Sequence, residues 1–133
     1  MALLPLPVNT DLAATLARVA LGAMFLVHGL PKIKNVKGTM GWVRGTGFPG
    51  GPTFAFLFTL LESIGAILLI LGLLTQLVAF LFALEMVATT IFSKTTLKKK
   101  YVLGYELDIL YLVLAVTVVL LGPGPWSLDA VLG

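Results

Sequence analysis

The chain has no cysteine, so disulfides, thiolate nucleophiles and thiolate-held iron–sulfur clusters are excluded from it. Charge is nearly as scarce: Asp, Glu, Lys and Arg make up 11% of 133 residues, where a soluble domain keeps about a quarter. A single histidine, His28, offers no imidazole pair for a haem or a metal ion, and no metal is expected. The first eleven residues carry neither Lys nor Arg, and no small-residue cleavage site follows, so a removed signal peptide is not expected. Any redox role would need a cofactor or partner from outside the chain.

Apolar residues are what the chain has in quantity, at 59%. A water-soluble fold of this length cannot bury so much, so the missing polar shell implies lipid. A helix needs about 20 apolar residues to cross the hydrocarbon layer, and four stretches qualify, at about 12–30, 54–74, 75–93 and 102–121. Pro31 is read as the end of the first; Gly50, Gly51 and Pro52 precede the second; Gly122, Pro123, Gly124 and Pro125 follow the fourth. Gly72 and Thr75 are predicted to make the tight reversal between the second and third, with Thr75 as helix N-cap. Residues 1–133 thus read as one transmembrane domain, an all-α integral membrane four-helix bundle with short loops.

Lys32, Lys34, Lys37 and Arg44 lie in the first connection, and Lys94, Lys98, Lys99 and Lys100 in the third. The second connection and both tails hold no Lys or Arg, which places the basic loops in the cytoplasm and both termini on the outer side. The net charge of +3 is therefore a mark of topology and of lipid-headgroup contact, and no nucleic-acid partner is expected. Trp42 and Trp126 fall near opposite interfaces. Gly45 to Gly50 spells G-x-G-x-x-G, but no strand precedes it and Pro49 interrupts it. It reads as a glycine-rich loop, with a short interfacial helix around Met40 to Val43.

Ionisable side chains inside a span cost several kcal/mol unless paired or hydrated, so Arg18, His28, Glu62, Glu85, Glu106 and Asp108 are the candidate functional residues. Arg18, Gly22, Phe25 and Gly29 form one stripe of the first helix, whose glycines admit a close neighbour. Glu85, Thr89 and Ser93 form a polar ladder on the third. Tyr101, Tyr105, Asp108 and Tyr111 share one side of the fourth, with Glu106 turned away from Asp108 by about 200°. Arg18 is predicted to converge with Glu62 and Glu85 at the centre. One guanidinium can balance one carboxylate, leaving the other acids to exchange protons. The same set could instead pin the helices in register, and Glu106 could reach the headgroups.

Arg18-Val19-Ala20-Leu21-Gly22, then Phe25, His28-Gly29 and Lys32, Glu62 with Gly65, Leu71-Gly72-Leu73-Leu74-Thr75, and Gly122-Pro123-Gly124-Pro125-Trp126-Ser127-Leu128-Asp129 resemble the DoxX family of small prokaryotic membrane proteins. The resemblance implies a four-helix bundle in the cell membrane. Some members resemble or accompany the membrane subunit of thiosulfate:quinone oxidoreductase, and others associate with oxidative-stress enzymes. On this basis the chain is expected to be a membrane subunit of a quinone-linked oxidoreductase, with a partner redox protein or further copies of itself. Arg18, His28, Tyr105 and Tyr111 are the expected quinone-binding residues. Glu62, Glu85 and Asp108 would carry protons, with Glu106 and Lys32 at the inner mouth. Two other readings remain open: a non-catalytic anchor that recruits a soluble redox enzyme through Lys98, Lys99 and Lys100, and a small carrier or proton pathway.

Overall fold

Inside a bilayer every backbone N–H and C=O must find its partner within the protein, which favours helices. The computed structural model describes Leu3 and residues 6–47 and 51–133. Helix α1 spans Thr10–Lys34, α2 Val36–Thr46, α3 Gly51–Leu71, α4 Thr75–Thr95, α5 Glu106–Leu121 and α6 Leu128–Leu132, and no strand occurs among the described residues. Helices α1, α3 and α4, and the stretch Tyr101–Leu121 that contains α5, are long and apolar enough to span a membrane. The core runs along the bundle axis through Leu21, Phe25, Ala66, Leu69, Val78, Phe82, Ala115 and Val118. Large apolar side chains such as Leu16, Val27, Ile64, Leu84 and Leu110 point outward, as lipid-facing positions should.

Several boundaries differ from the sequence reading. Helix α1 does not stop at Pro31 but continues to Lys34. The missing N–H of a proline removes one helical hydrogen bond, a loss that membrane helices absorb through neighbouring groups. Asn35 then closes α1 and opens α2, its side chain accepting from the Gly38 N–H at 3.1 Å. The interfacial helix is accordingly longer than Met40 to Val43. Of the G-x-G-x-x-G run, Gly45 and Thr46 belong to α2 and Gly47 caps it at φ 71°, while Phe48, Pro49 and Gly50 lie outside the described residues. Gly51 and Pro52 stand inside the first turn of α3, where the absent proline N–H is harmless.

Helix α3 widens into a π-helical turn at Leu61–Gly65. Thr59 donates its hydroxyl to the Ala55 carbonyl and Ser63 to that of Thr59, and such back-bonding to the preceding turn loosens the regular ladder. Gly72, at φ 78°, ends α3, with its own N–H bonded to the Leu69 carbonyl and that of Leu73 to Leu68. Thr75 is not the N-cap of α4. That role falls to Asp129, whose carboxylate accepts from the N–H groups of Leu74 and Thr75 at 2.8 and 2.9 Å. The fourth span also starts late: Leu103 stands at φ 59° within Tyr101–Tyr105, so regular helix begins at Glu106 and Tyr101 leaves the stripe predicted for it.

Glycine decides how α1 meets α3. A Cβ on Gly22 would lie 2.8 Å from the Ala66 carbonyl oxygen, and one on Gly29 would lie 2.7 Å from the carbonyl of Glu62. The two helices therefore run antiparallel in near backbone contact, with Gly29 against the π turn and Arg18 against the far end of α3.

Candidate functional site

The antiparallel register brings Glu62 beside the inner turn of α1, where Lys32 follows Gly29 by three residues on the same stripe. The Lys32 ammonium donates to Glu62 Oε2 at 2.6 Å. Glu85 of α4 sits next to Glu62, only 2% exposed, and its Oε2 has no hydrogen-bond partner among the described residues. Below it on α4, Thr89 and Ser93 continue the predicted ladder along the same wall. From α5, Tyr111 shares a hydrogen bond of 3.0 Å with His28 Nε2, and Asp108 stands one turn nearer the basic connections.

These groups line one cavity of about 350 Å³, to which all five long elements contribute. Phe25 closes its floor by stacking on Phe82 at 3.9 Å between ring centroids, and also leans on Tyr111. Phe58, Met86 and Phe92 supply apolar walls, and Trp42 and Val43 of α2 lie across the basic end together with Leu97 and Lys99. The result is an aromatic chamber holding an ion pair, a second buried carboxyl with a spare acceptor, and a His–Tyr pair opposite. Such a mixture of apolar walls and a few convergent polar groups suits a small amphiphilic ligand. No cluster of three or more metal-ligating side chains occurs among the described residues.

Arg18 is not in this cavity, and the predicted convergence with Glu62 and Glu85 fails. It lies fourteen residues from Lys32, about 21 Å along the helix at 1.5 Å per residue. Buried to 2% exposure, its Nη1 donates to the carbonyls of Leu69 and Ile70 at 2.7 and 2.6 Å, and its Nη2 to that of Trp126 at 3.0 Å. A helix C-terminus presents unbonded carbonyls and partial negative charge, so a cation is well placed there without any carboxylate. Asp129 completes the cluster. Burial pushes its carboxyl up, but the Thr75 and Leu74 N–H groups and the Arg18 charge outweigh that and hold it below the ordinary value. Gly72 is tightly enclosed here, since a Cβ would meet Ser127 Cβ at 2.4 Å. Arg18, Trp126 and Asp129 thus form a clasp that ties the start of α1, the α3–α4 reversal and the C-terminal segment together.

Of the other expected site residues, His28, Lys32, Glu62, Glu85, Asp108 and Tyr111 meet at the cavity. Tyr105 packs edge-on against Tyr101 instead, and Glu106 accepts from the Leu103 N–H at 2.6 Å, stabilising the kink before α5. The sequence reading missed that Lys32, not Arg18, is the partner of Glu62. The signal was present: the stripe through residues 18, 22, 25 and 29 reaches Lys32 at its next step.

The DoxX family profile matches residues 13–95. A Bacillus subtilis (strain 168) protein named "Putative oxidoreductase CatD" is 33% identical over 119 residues, 90% of this chain and 86% of that protein. An uncharacterized Haemophilus influenzae protein is 34% identical over 116 residues, 84% of each chain. The Escherichia coli (strain K12) "Inner membrane protein YphA" is 30% identical over 76 residues, 57% of this chain and 54% of that one. No solved structure gives a significant match.

Proposed function

The chain belongs to the DoxX family, and from that premise we propose that it is the membrane subunit of an oxidoreductase whose cavity takes the ring of a quinone or quinol. The observation that carries this reading is Glu85 Oε2, a buried carboxyl oxygen with no partner among the described residues, inside an aromatic chamber beside the Lys32–Glu62 pair. A buried polar atom without a partner is costly, and a ligand hydroxyl would relieve it. A quinone supplies two-electron, two-proton chemistry, and the donors here fit its two oxygens: the Lys32 ammonium on one wall, Tyr111 with His28 on the other.

The residues then divide the work. Glu85 exchanges a hydrogen bond, and with it a proton, with the ligand oxygen nearest α4: it accepts from a quinol hydroxyl and, when protonated, donates to a quinone carbonyl. Glu62 receives or returns a proton across its contact with Lys32, whose ammonium keeps charge balanced in a site of low dielectric. Asp108, Thr89 and Ser93 continue polar contact toward the basic end. Electrons pass between the ligand and a partner protein, since the sequence provides neither thiolates nor a histidine pair. The exposed Lys94, Lys98 and Lys100 lie at the end where such a partner would reach the cavity. We place this end in the cytoplasm, both termini outside, in a multi-pass protein of the cell membrane.

The test is extraction in mild detergent followed by identification of copurifying lipid-soluble molecules. Wild-type protein should carry a quinone, and Glu85→Leu, which has no hydrogen-bonding group, should retain about tenfold less or lower, as loss of one hydrogen bond implies. Wild-type protein free of quinone, or a Glu85→Leu variant that keeps it, would sink the proposal.

A further inference from the structure

A second cavity, of about 380 Å³, lies between α3 and α4 next to the first. Its walls are Phe54, Phe58, Ala88, Ile91 and Phe92, with Thr95 and Thr96 at one end. Phe54 and Ile91 are exposed at its rim, so in a bilayer it opens sideways to acyl chains, whereas Phe92 is buried at its back. Of the two threonines, Thr95 offers little polarity, because its hydroxyl donates to the Ile91 carbonyl at 2.6 Å. The polar chamber and the apolar groove share two walls, Phe58 and Phe92. Phe58 also stacks on Phe54, at 6.2 Å between centroids, so its ring leads from the chamber to the lipid-facing rim.

The chamber lies near the lower end of the volumes at which ligand sites occur, about 300–1,000 Å³, and much of its wall is ionisable. Its ionisable side chains suit a polar head, whereas the adjoining groove has no ionisable residue in its lining and suits an apolar tail. We propose that this groove holds the apolar tail of the same amphiphile whose polar head occupies the chamber, the ligand entering sideways from the lipid between α3 and α4, past Phe58 and Phe92. The inference rests on the head-group reading above and adds the ligand's second half and its route. It makes the substrate class a membrane-resident head-and-tail molecule rather than a water-soluble ring compound.

A tail gains no hydrophobic energy by leaving one oily environment for another, so the test is steric rather than a comparison of raw affinities. The protein, in lipid nanodiscs and with Trp126→Phe so that Trp42 at the chamber reports alone, is titrated with two probes. One is 1,4-benzoquinone without a tail, and the other is a benzoquinone with a ten-carbon chain; the readout is quenching of Trp42. Ala88→Phe fills the groove. It should weaken the tailed probe by about tenfold, within the range of an overpacking penalty, and leave the tail-less probe unchanged. Retained binding of the tail-less probe also certifies that the variant is folded, and Ala88→Leu serves as a milder filling if Ala88→Phe is not. If both probes bind the filled protein as they bind the wild type, the tail lies elsewhere, in the bilayer, and the groove assignment is overturned while the head-group reading stands. If neither probe quenches Trp42 in the wild-type groove background, both fall together.

Discussion

Arg18 and Glu85 are equally hidden, each 2% exposed, but Arg18 spends both terminal nitrogens on carbonyls while Glu85 Oε2 has no partner among the described residues. Two of the three Arg18 nitrogens are committed to carbonyls of Leu69, Ile70 and Trp126, which suits a structural clasp. Arg18→Met should therefore lower stability by about 3 kcal/mol or more, since charge-assisted hydrogen bonds contribute about 1.5–3 kcal/mol each. Thermal melting in detergent would register this, with Glu85→Gln melting near the wild type. An Arg18→Met variant that melts like the wild type would remove the clasp. Asp129 belongs to the same cluster and gives it a pH signature. Its folded-state carboxyl ionises below the ordinary value, so its contribution is fully present above about pH 4, the unfolded value, and is lost as pH falls through the folded one. Asp129→Asn should cost about 1 kcal/mol at neutral pH, since an amide offers one acceptor oxygen where the carboxylate uses two and carries no charge beside Arg18, and should flatten the melting temperature against pH below about 4.

At the scale of elements, the contact of α1 with the π turn of α3 sets the site. Gly29 holds Lys32 within reach of Glu62 because nothing larger fits against the Glu62 carbonyl. Gly29→Ala should force the helices apart, costing about 1–3 kcal/mol as overpacking does, and should reduce quinone retention along with stability. Gly41, on α2, is the control: a Cβ there meets nothing within 4 Å, and Gly41→Ala should be neutral or stabilise by up to about 1 kcal/mol through helix propensity. Equal losses in the two variants would mean that close approach is not what positions the ion pair. The interfacial helix α2, with no buried residue of its own, still contributes Trp42 and Val43 to the chamber, so its register matters to the site more than to the fold.

For the whole molecule, the basic connections gather at one end with the chamber, and the clasp of Arg18, Trp126 and Asp129 gathers at the other. The chain thus has a chamber end and a tied end. In the orientation proposed from the Lys and Arg asymmetry, the chamber end faces the cytoplasm. The absence of native cysteine makes this directly testable. Intact cells treated with a membrane-impermeant maleimide should label Thr10→Cys and spare Lys98→Cys until the membrane is opened. The reverse pattern would invert the topology and move the chamber to the outer half of the membrane.

Four bilayer-length apolar runs, the clustering of positive charge and the glycine stripe on α1 were all legible in the chain itself, because each depends on local spacing or on transfer into lipid. So were the ladder through Glu85, Thr89 and Ser93 and the inward placement of Asp108 and Tyr111, which follow from helical period. What the chain alone left undecided was which buried charges meet. That depends on the sliding register of α1 against α3, and two antiparallel apolar helices can slide by a turn with little change in their pattern of burial. Only the packed structure fixes it, through Gly29 against the π turn, and so gives Glu62 to Lys32 and leaves Arg18 to the carbonyls at the far end.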